Sequence, residues 1–179
     1  MKSHALALSL LLCAVAAAQD RPRTYTFSDV SVETQTGESV HFYRDLVKGR
    51  TVVMNFIFTS CTTVCPTMGV TFAHVQDLLG KRDVALISVS IDPGNDTPAR
   101  LASWSRRLGA KPGWTLVTGN KSDIDALLKS IGLFSANPAA HAPVVLVGDD
   151  SSGRWERIDG LAPAKTIVAA IDRISEKEQ

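Results

Sequence analysis

The stretch Thr51-Val-Val-Met-Asn-Phe-Ile-Phe58-Thr-Ser-Cys61-Thr-Thr-Val-Cys65-Pro66 decides the fold of this chain. Its apolar first half predicts a buried strand from Thr51 to Phe58. Pro66 suits the first turn of a helix, because the N–H that proline lacks has no partner there. Two cysteines at a strand-to-helix junction lie among backbone N–H groups and near the positive end of a helix dipole, which favours thiolate. The pair therefore indicates either redox exchange or binding of a soft metal ion.

Residues 1–18 are typical of a signal peptide. A short basic start precedes an apolar stretch that ends in three alanines and is shorter than the ~20 residues that span a bilayer. Cys13 lies within this stretch, but Leu12 stands where a lipoprotein signal has a small residue, so we expect Cys13 to be removed with the leader. We therefore predict an exported, periplasmic protein that starts at Gln19, anchored to the inner membrane only if the leader is retained.

Residues 19–179 are enough for a single domain with one core. The whole chain has 19 Lys and Arg against 18 Asp and Glu, and one of the basic residues, Lys2, belongs to the leader. The mature chain is thus formally uncharged. This balance argues against nucleic acid as a partner, since phosphate binding needs a clustered basic surface.

Predicted strands and helices alternate along the mature chain. Residues 24–42 contain short alternating segments around a turn at Gly37, which predicts a β-hairpin. Periodicity and turn residues predict helices at 66–79, 98–108, 122–131 and 163–175, and further strands at 84–91, 114–117, 144–147 and 154–158. This order predicts an α/β fold with a thioredoxin-like central sheet flanked by helices and preceded by the hairpin.

Three features, in one order along the chain, carry a family resemblance. They are the Cys-x3-Cys-Pro motif from Cys61 to Pro66, the segment Asp92-Pro-Gly-Asn-Asp96-Thr-Pro, and His141 before a predicted strand. Together they resemble the Sco/SenC family of copper-handling proteins and cover nearly the whole mature chain. The chain departs from the family in having Thr62 where a proline is frequent and Ala140 where many members have an acidic residue.

The resemblance implies a metallochaperone and not an enzyme. It implies that Cys61, Cys65 and His141 bind one copper ion, as Cu(I) or Cu(II). It implies delivery of copper to, or maturation of, the dinuclear copper (CuA) site of cytochrome c oxidase subunit II, or delivery to another exported acceptor. The cysteines would alternate between a copper-bound dithiolate and a Cys61–Cys65 disulfide.

The donor types themselves suit copper. Soft thiolates select Cu(I), and a mixed thiolate–imidazole set also accommodates Cu(II). Three donors leave an open coordination position, which transfer to a partner requires, whereas a structural zinc site is closed by four ligands. Asp92 follows a strand expected to run parallel to the cysteine-bearing one, so we expect it at the edge of the site as a supporting residue. Asp92-Pro93 equally fits turn chemistry, and Asp96 fits a helix start.

A different class of function, a thiol–disulfide oxidoreductase, remains open at this stage. Cys61 would attack a partner's disulfide, Cys65 would resolve the mixed disulfide, and His141 would be a base or a bystander. The common redox spacing is Cys-x2-Cys, which tempers this hypothesis. Pro143 before the next strand favours it, since many thioredoxin-like oxidoreductases have a proline there, usually with a cis bond. A peroxidase that uses Cys61 and a purely structural disulfide are weaker alternatives.

Other residues near these motifs have simpler explanations. Met68 could offer a thioether to the metal, but its helical spacing favours the core. His74 is expected to face away from the thiols, about 180° around a helix from Cys65. His41 has no supporting context, and Trp104 and Trp114 are predicted to pack in or at the edge of the core.

Overall fold

The computed structural model describes residues 24–176 and has a seven-stranded mixed sheet at its centre. The strands are Ser31–Thr34 (β1), Ser39–His41 (β2), Thr51–Ile57 (β3), Ala85–Ser90 (β4), Trp114–Thr118 (β5), Val144–Asp149 (β6) and Arg154–Asp159 (β7). The α-helices of the described chain are Val64–Leu79 (α1), Pro98–Arg107 (α2), Lys121–Ser130 (α3) and Ala164–Ser175 (α4). The predicted α/β fold and the predicted hairpin of β1 and β2 are confirmed.

The strand order, β2-β1-β5-β4-β3-β6-β7, determines which loops meet. Strands β3, β4 and β5 run parallel, whereas β6 is antiparallel to β3. Ile57 pairs with Ser90, and Asn55 pairs with Val145. The carboxyl ends of β3 and β4 and the amino end of β6 therefore lie at one edge of the sheet. The loops that carry the cysteines, the Asp92–Asp96 segment and His141 all emerge at that edge.

Helices cover both faces of the sheet. Val53 and Ile57 of β3 face a core that contains side chains of α1, α2 and α4. The alternate residues, Met54 and Phe56, face a second core that contains side chains of α3. This alternation follows from the two-residue period of a strand and explains why the β3 sequence is apolar almost throughout.

Local sequence signals set the helix ends. Thr97 caps α2 by accepting a hydrogen bond from the N–H of Arg100, and Pro98 occupies the first turn, as predicted. Gly80 ends α1 with a φ of +58°, a conformation that favours glycine. Helix α1 begins at Val64, two residues earlier than the predicted start at Pro66. Cys65 therefore lies inside the first helical turn.

A π-helical segment at Phe42–Val47 was not predicted from the sequence. Its buried residues are Phe42, Leu46 and Val47. Phe42 lies four and five residues before the other two, which is about one turn of a π-helix. The carboxylate of Asp29 accepts hydrogen bonds from the N–H groups of Tyr43 and Arg44, each at 3.0 Å. This contact satisfies free N–H groups at the start of the segment.

A polar chain crosses the sheet behind the cysteine-bearing edge. The hydroxyl of Ser88 donates to the Oδ1 of Asn55 at 2.5 Å and accepts from the Nε1–H of Trp114 at 2.9 Å. Asn55 and Ser88 are fully buried, and Trp114 is 3 % exposed. Trp104 packs edge-on against Trp114, with ring centroids 6.3 Å apart, which confirms the core position predicted for both tryptophans.

Within residues 24–176, no helix combines the length and the apolar character that crossing a membrane requires. The predicted signal peptide, with Cys13, lies outside the described residues.

Candidate metal centre

The two cysteines lie at the junction between β3 and α1. The carbonyl of Phe58 accepts the N–H of Cys61 at 3.2 Å, which closes a tight turn after the strand. The N–H of Cys65 then donates to the Sγ of Cys61 at 3.4 Å. Thr63 precedes the helix but provides no side-chain cap, so the sulfur of Cys61 accepts one of the unpaired N–H groups of the first turn. Both cysteines are buried free thiols in this structure.

The surroundings of Cys61 favour its thiolate. Burial raises the pKa of Cys61, but hydrogen bonds from the side chain and backbone of Cys65 and from Thr63 outweigh it and bring the pKa to about 7. The first turn of α1 contains no acidic residue that would compete for its positive end. Cys61 is therefore partly thiolate at neutral pH.

Cys65 has the opposite environment. Burial above all, together with Cys61 and the carboxylate of Asp96, raises the pKa of Cys65 to about 12, against the lowering effect of a backbone hydrogen bond with Phe58. Cys65 is therefore a protonated thiol at neutral pH in the metal-free protein. A metal ion that binds both sulfurs must displace this proton.

His141 follows a short 3₁₀ turn, Pro138–Ala140, and precedes β6. Its ring is tilted against that of Phe56, with centroids 6.1 Å apart. Burial lowers the pKa of His141, and the positive charge of Arg157 lowers it further, so the ring is neutral at neutral pH. Its Nε2 is buried and has no hydrogen-bond partner among the described atoms. A neutral imidazole with an unpartnered buried nitrogen fits a metal ligand.

A cavity of about 270 Å³ joins the three candidate ligands, since Cys61, Cys65 and His141 all line it. None of its lining residues among those the structure describes is an Asp, Glu, Lys or Arg. No three His, Cys, Asp or Glu side chains within residues 24–176 lie close enough together to hold a metal ion. The structure thus brings the two cysteines together and places His141 on the same cavity, without assembling all three around one point.

The two aspartates of the second motif have different positions. The carboxylate of Asp92, expected at the site edge, is half-buried and accepts hydrogen bonds from the side-chain amide of Asn95 within the turn. Asp96 is 1 % exposed and accepts hydrogen bonds from Thr59, two residues before Cys61. The sequence pattern around Asp96 indicates only a helix start, because the burial of its side chain depends on contacts with distant residues. A supporting role for Asp92 stays a prediction, and Asp96 is the carboxylate in contact with the cysteine loop.

The remaining candidates are placed as follows. Met68 is 1 % exposed and lines the cavity. His74 is exposed and lines a separate groove with Leu78 and Pro163. The Nδ1 of His41 lies 3.5 Å from the carboxylate of Asp29. The peptide bond before Pro143 is trans.

A close backbone contact fixes the segment after His141. The N–H of Gly160 donates to the carbonyl of Pro143 at 3.1 Å. A Cβ at Gly160 would lie 2.7 Å from the carbonyl carbon of Pro143 and 2.9 Å from the Cε of Met68. Only glycine therefore lets the loop after β7 pack this closely against the segment that carries His141.

These features define a class: a thioredoxin-like domain with a dithiol at a strand-to-helix junction and a histidine on the same cavity. The family model of SCO1/SenC matches residues 19–176 of this chain. The chain therefore belongs to the SCO1/SenC family, and the resemblance read from the three motifs is confirmed.

Known relatives agree with this assignment. A SCO1 protein homolog of Bacillus subtilis is 33% identical over 156 residues, which cover 79% of this chain and 78% of the relative. A Stutzerimonas stutzeri protein whose name describes it as copper-binding is 31% identical over 142 residues. The match covers 67% of this chain and 66% of the relative. The solved structure of BsSco, a member of the Sco family of cytochrome c oxidase assembly proteins with a disulfide switch, matches with a TM-score of 0.73. It is 27% identical and covers 87% of this chain and 96% of its own.

Proposed function

We propose that this protein is an exported copper chaperone that holds one copper ion through Cys61, Cys65 and His141. Its proposed role is in the assembly of cytochrome c oxidase, with the CuA site of subunit II as the copper acceptor. One observation carries the proposal: two buried thiols and a neutral imidazole with an unpartnered Nε2 line the same uncharged cavity.

The donor set suits copper that is to be passed on. Two thiolates are enough for Cu(I), and the added imidazole nitrogen suits Cu(II). Three protein ligands leave one position at which an acceptor's ligand can attach before the chaperone's ligands leave. Membership of the SCO1/SenC family supports the assembly role, since BsSco belongs to a family of cytochrome c oxidase assembly proteins.

Copper binding would require a local movement. The structure has the cysteines in contact through a 3.4 Å hydrogen bond, but His141 does not complete a metal-binding cluster with them. His141 stands at the end of a short 3₁₀ turn, in a segment of three residues before β6, where a small change can move the ring without disturbing the sheet. We infer that this segment closes toward the thiols when copper arrives.

The test uses protein recovered from the periplasm, reduced and loaded separately with Cu(I) and Cu(II) under a competing chelator. We expect one retained copper ion per chain, and loss of retained copper in Cys61→Ser and in Cys65→Ser, because each variant removes one of two thiolates. Unchanged copper content in either variant would disprove the ligand assignment. Mixing the loaded protein with the reduced, copper-free CuA domain of subunit II tests delivery, and no copper transfer would disprove that acceptor.

A second function, reduction of a partner's disulfide, is favoured by the unequal thiols, with pKa values of about 7 for Cys61 and about 12 for Cys65. The Cys61 thiolate would attack the partner's disulfide, forming a mixed disulfide and releasing one partner thiolate. Cys65, after losing its proton, would then attack the sulfur of Cys61, which leaves a Cys61–Cys65 disulfide and a partner dithiol.

The oxidised CuA domain is a suitable substrate for testing this activity. Copper-free, reduced protein should reduce it, and Cys65→Ser should accumulate the mixed disulfide through Cys61. If the protein retains one copper ion per chain but does not exchange disulfides, the oxidoreductase function is disproved and only the chaperone function is supported.

A further inference from the structure

The loop after β4 contains a buried carboxylate, Asp96, with 1 % of its surface exposed. Its oxygens accept hydrogen bonds from the N–H of Thr59 at 3.1 Å, the hydroxyl of Thr59 at 2.5 Å and the hydroxyl of Ser90 at 2.7 Å. Each of these groups acts as a donor, and an ionised carboxylate can only accept. A buried charge persists only where such donors satisfy it. The cluster is therefore a specific anchor between the loops after β3 and β4.

The anchor acts on the turn that carries the first cysteine. Thr59 lies between Phe58, whose carbonyl accepts the N–H of Cys61, and the exposed Ser60. Fixing the backbone and side chain of Thr59 therefore fixes the start of this turn. The negative charge of the same carboxylate also raises the pKa of Cys65, which agrees with its hydrogen bonds to the cysteine loop.

We propose that Asp96 is a positioning residue of the copper site, which anchors the turn before Cys61 and places a fixed negative charge near the thiolate of Cys65. The proposal rests on the ligand set proposed above. Cu(I) with two thiolates and a neutral imidazole has a net charge of minus one, and Cu(II) with the same ligands is neutral. A neighbouring negative charge therefore disfavours the Cu(I) form, so that Asp96 stabilises Cu(II) relative to Cu(I).

The electrostatic part is tested by the midpoint potential of the bound copper. One electron from a mediator reduces Cu(II) to Cu(I) with both thiolates still bound, and loss of the thiolate-to-Cu(II) absorption follows the reaction. We expect Asp96→Asn to shift the equilibrium toward Cu(I) by roughly tenfold, equivalent to about 59 mV for one electron. Asp83→Asn is the matched control, since Asp83 is an exposed aspartate just before the opposite end of β4. It should shift the equilibrium by less than about twofold.

The anchoring part is tested on copper-free protein. Thr59→Val removes the 2.5 Å hydrogen bond but keeps the charge of Asp96 and the backbone contact. We expect faster amide hydrogen exchange at Ser60 and Cys61 in this variant, with the copper potential close to that of the wild type. Thr67→Val, at an exposed position on α1, should leave the exchange unchanged.

The outcomes separate this inference from the proposed function. If the wild-type protein binds no copper, or if Cys61→Ser binds as much copper as the wild type, the proposed ligand set is wrong. The charge effect, which rests on that ligand set, is then also disproved. If copper binds as proposed but Asp96→Asn keeps the wild-type potential, or Asp83→Asn shifts it equally, the charge effect alone is overturned. If Asp96→Asn does not fold, Thr59→Val and Ser90→Ala test the anchor instead. Unchanged amide hydrogen exchange at Ser60 and Cys61 in both variants would overturn it.

Discussion

The N–H of Cys65 donates a hydrogen bond to the Sγ of Cys61 at 3.4 Å, so the helix that contains one cysteine stabilises the thiolate of the other. The two sulfurs are thereby distinguished before any metal or partner arrives. Cys61, in the turn before α1, has a pKa of about 7, and Cys65, inside the first turn of α1, has a pKa of about 12. The difference arises because backbone and side-chain donors serve Cys61, whereas burial dominates at Cys65.

Alkylation of the reduced, copper-free protein should follow this difference. The thiolate reacts with iodoacetamide and the thiol does not. Because the pKa of Cys61 is lowered, its labelling rate should rise with pH, be half-maximal near pH 7 and fall away below it. Cys65 should stay unlabelled over the same range, as measured by peptide mass spectrometry. Equal labelling of the two cysteines at neutral pH would contradict the assignment.

The hydroxyl of Thr63 provides a control on the cause. It lies 3.6 Å from the Sγ of Cys61 and contributes to lowering its pKa. Thr63→Ala should therefore move the half-maximal labelling to higher pH. Thr67→Ala, one turn further along α1 and exposed, should leave it in place.

Replacing His141 should affect the two copper states unequally. Two thiolates can hold Cu(I) alone, whereas Cu(II) prefers additional nitrogen donors. His141→Ala should weaken Cu(II) binding by more than the roughly 10–100-fold typical of losing a residue that only supports a metal ligand. Cu(I) binding should weaken much less. Titration of the thiolate-to-Cu(II) absorption band measures this, with His74→Ala, exposed on α1, as the control.

The oxidoreductase alternative predicts a different response to the same substitution. Its reacting atoms are both sulfur, so His141→Ala should leave disulfide exchange largely intact or shift its pH dependence. A variant that keeps the wild-type copper spectrum while losing disulfide exchange would show that His141 is not a ligand, and the chaperone function would have to be abandoned.

The junction of β3 and α1 was predictable because its signals are local. An apolar run, Pro66 in the first turn and Gly80 at the helix end fix the strand and the helix within two residues of their observed bounds. The meeting of the loops after β3 and β4 at one edge also follows from sequence, since parallel strands place their carboxyl ends together. The loop with His141 joins them because β6 runs antiparallel to β3.

Other features depend on contacts that the sequence pattern does not contain. Of the two aspartates in one motif, Asp96 turns inward because the N–H groups of Asn95 and Asp96 both bind the carbonyl of Asp92, which curls the chain. The distance between His141 and the thiols depends on how three residues pack before β6. The π-helical segment at Phe42–Val47 depends on Asp29, which lies outside it.

The leader gives a prediction for the residues before position 24. If the three alanines at 16–18 form the cleavage signal, protein recovered from the periplasm should begin at Gln19. N-terminal sequencing or intact mass measures this directly. Intact Met1 on membrane-bound protein would show a retained anchor, and lipid on Cys13 would show a lipoprotein signal.

The polar chain through Ser88 should be important for stability. Ser88→Ala removes the donor to Asn55 and the acceptor for the Nε1–H of Trp114, leaving buried polar groups unpaired. Since each of these two groups costs about 1–3 kcal/mol, we expect the free energy of unfolding to fall by about 2–6 kcal/mol. Urea denaturation measures the change. Ser122→Ala, at an exposed position, should stay within about 0.5 kcal/mol of the wild type, and an equally small effect of Ser88→Ala would contradict the argument.

Gly160 should matter for both stability and copper binding. A methyl group there would meet the backbone of Pro143 at 2.7 Å, and backbone cannot yield as a flexible side chain does. We expect Gly160→Ala to lower the free energy of unfolding by about 1–3 kcal/mol, the usual range for overpacking. Because Pro143 lies two residues after His141, the same displacement should weaken Cu(II) binding more than Cu(I) binding.

Gly148→Ala separates these two effects. Its Cβ would clash with the ring of Trp155, so it should also destabilise the fold, but Gly148 pairs with Val52 at the end of β6 away from His141. Folded Gly148→Ala should therefore keep the wild-type ratio of Cu(II) to Cu(I) affinity while Gly160→Ala lowers it. Chemical denaturation and copper titration of both variants give the comparison. If the two variants change the ratio equally, the contact between Gly160 and Pro143 does not position His141, and its effect is on stability alone.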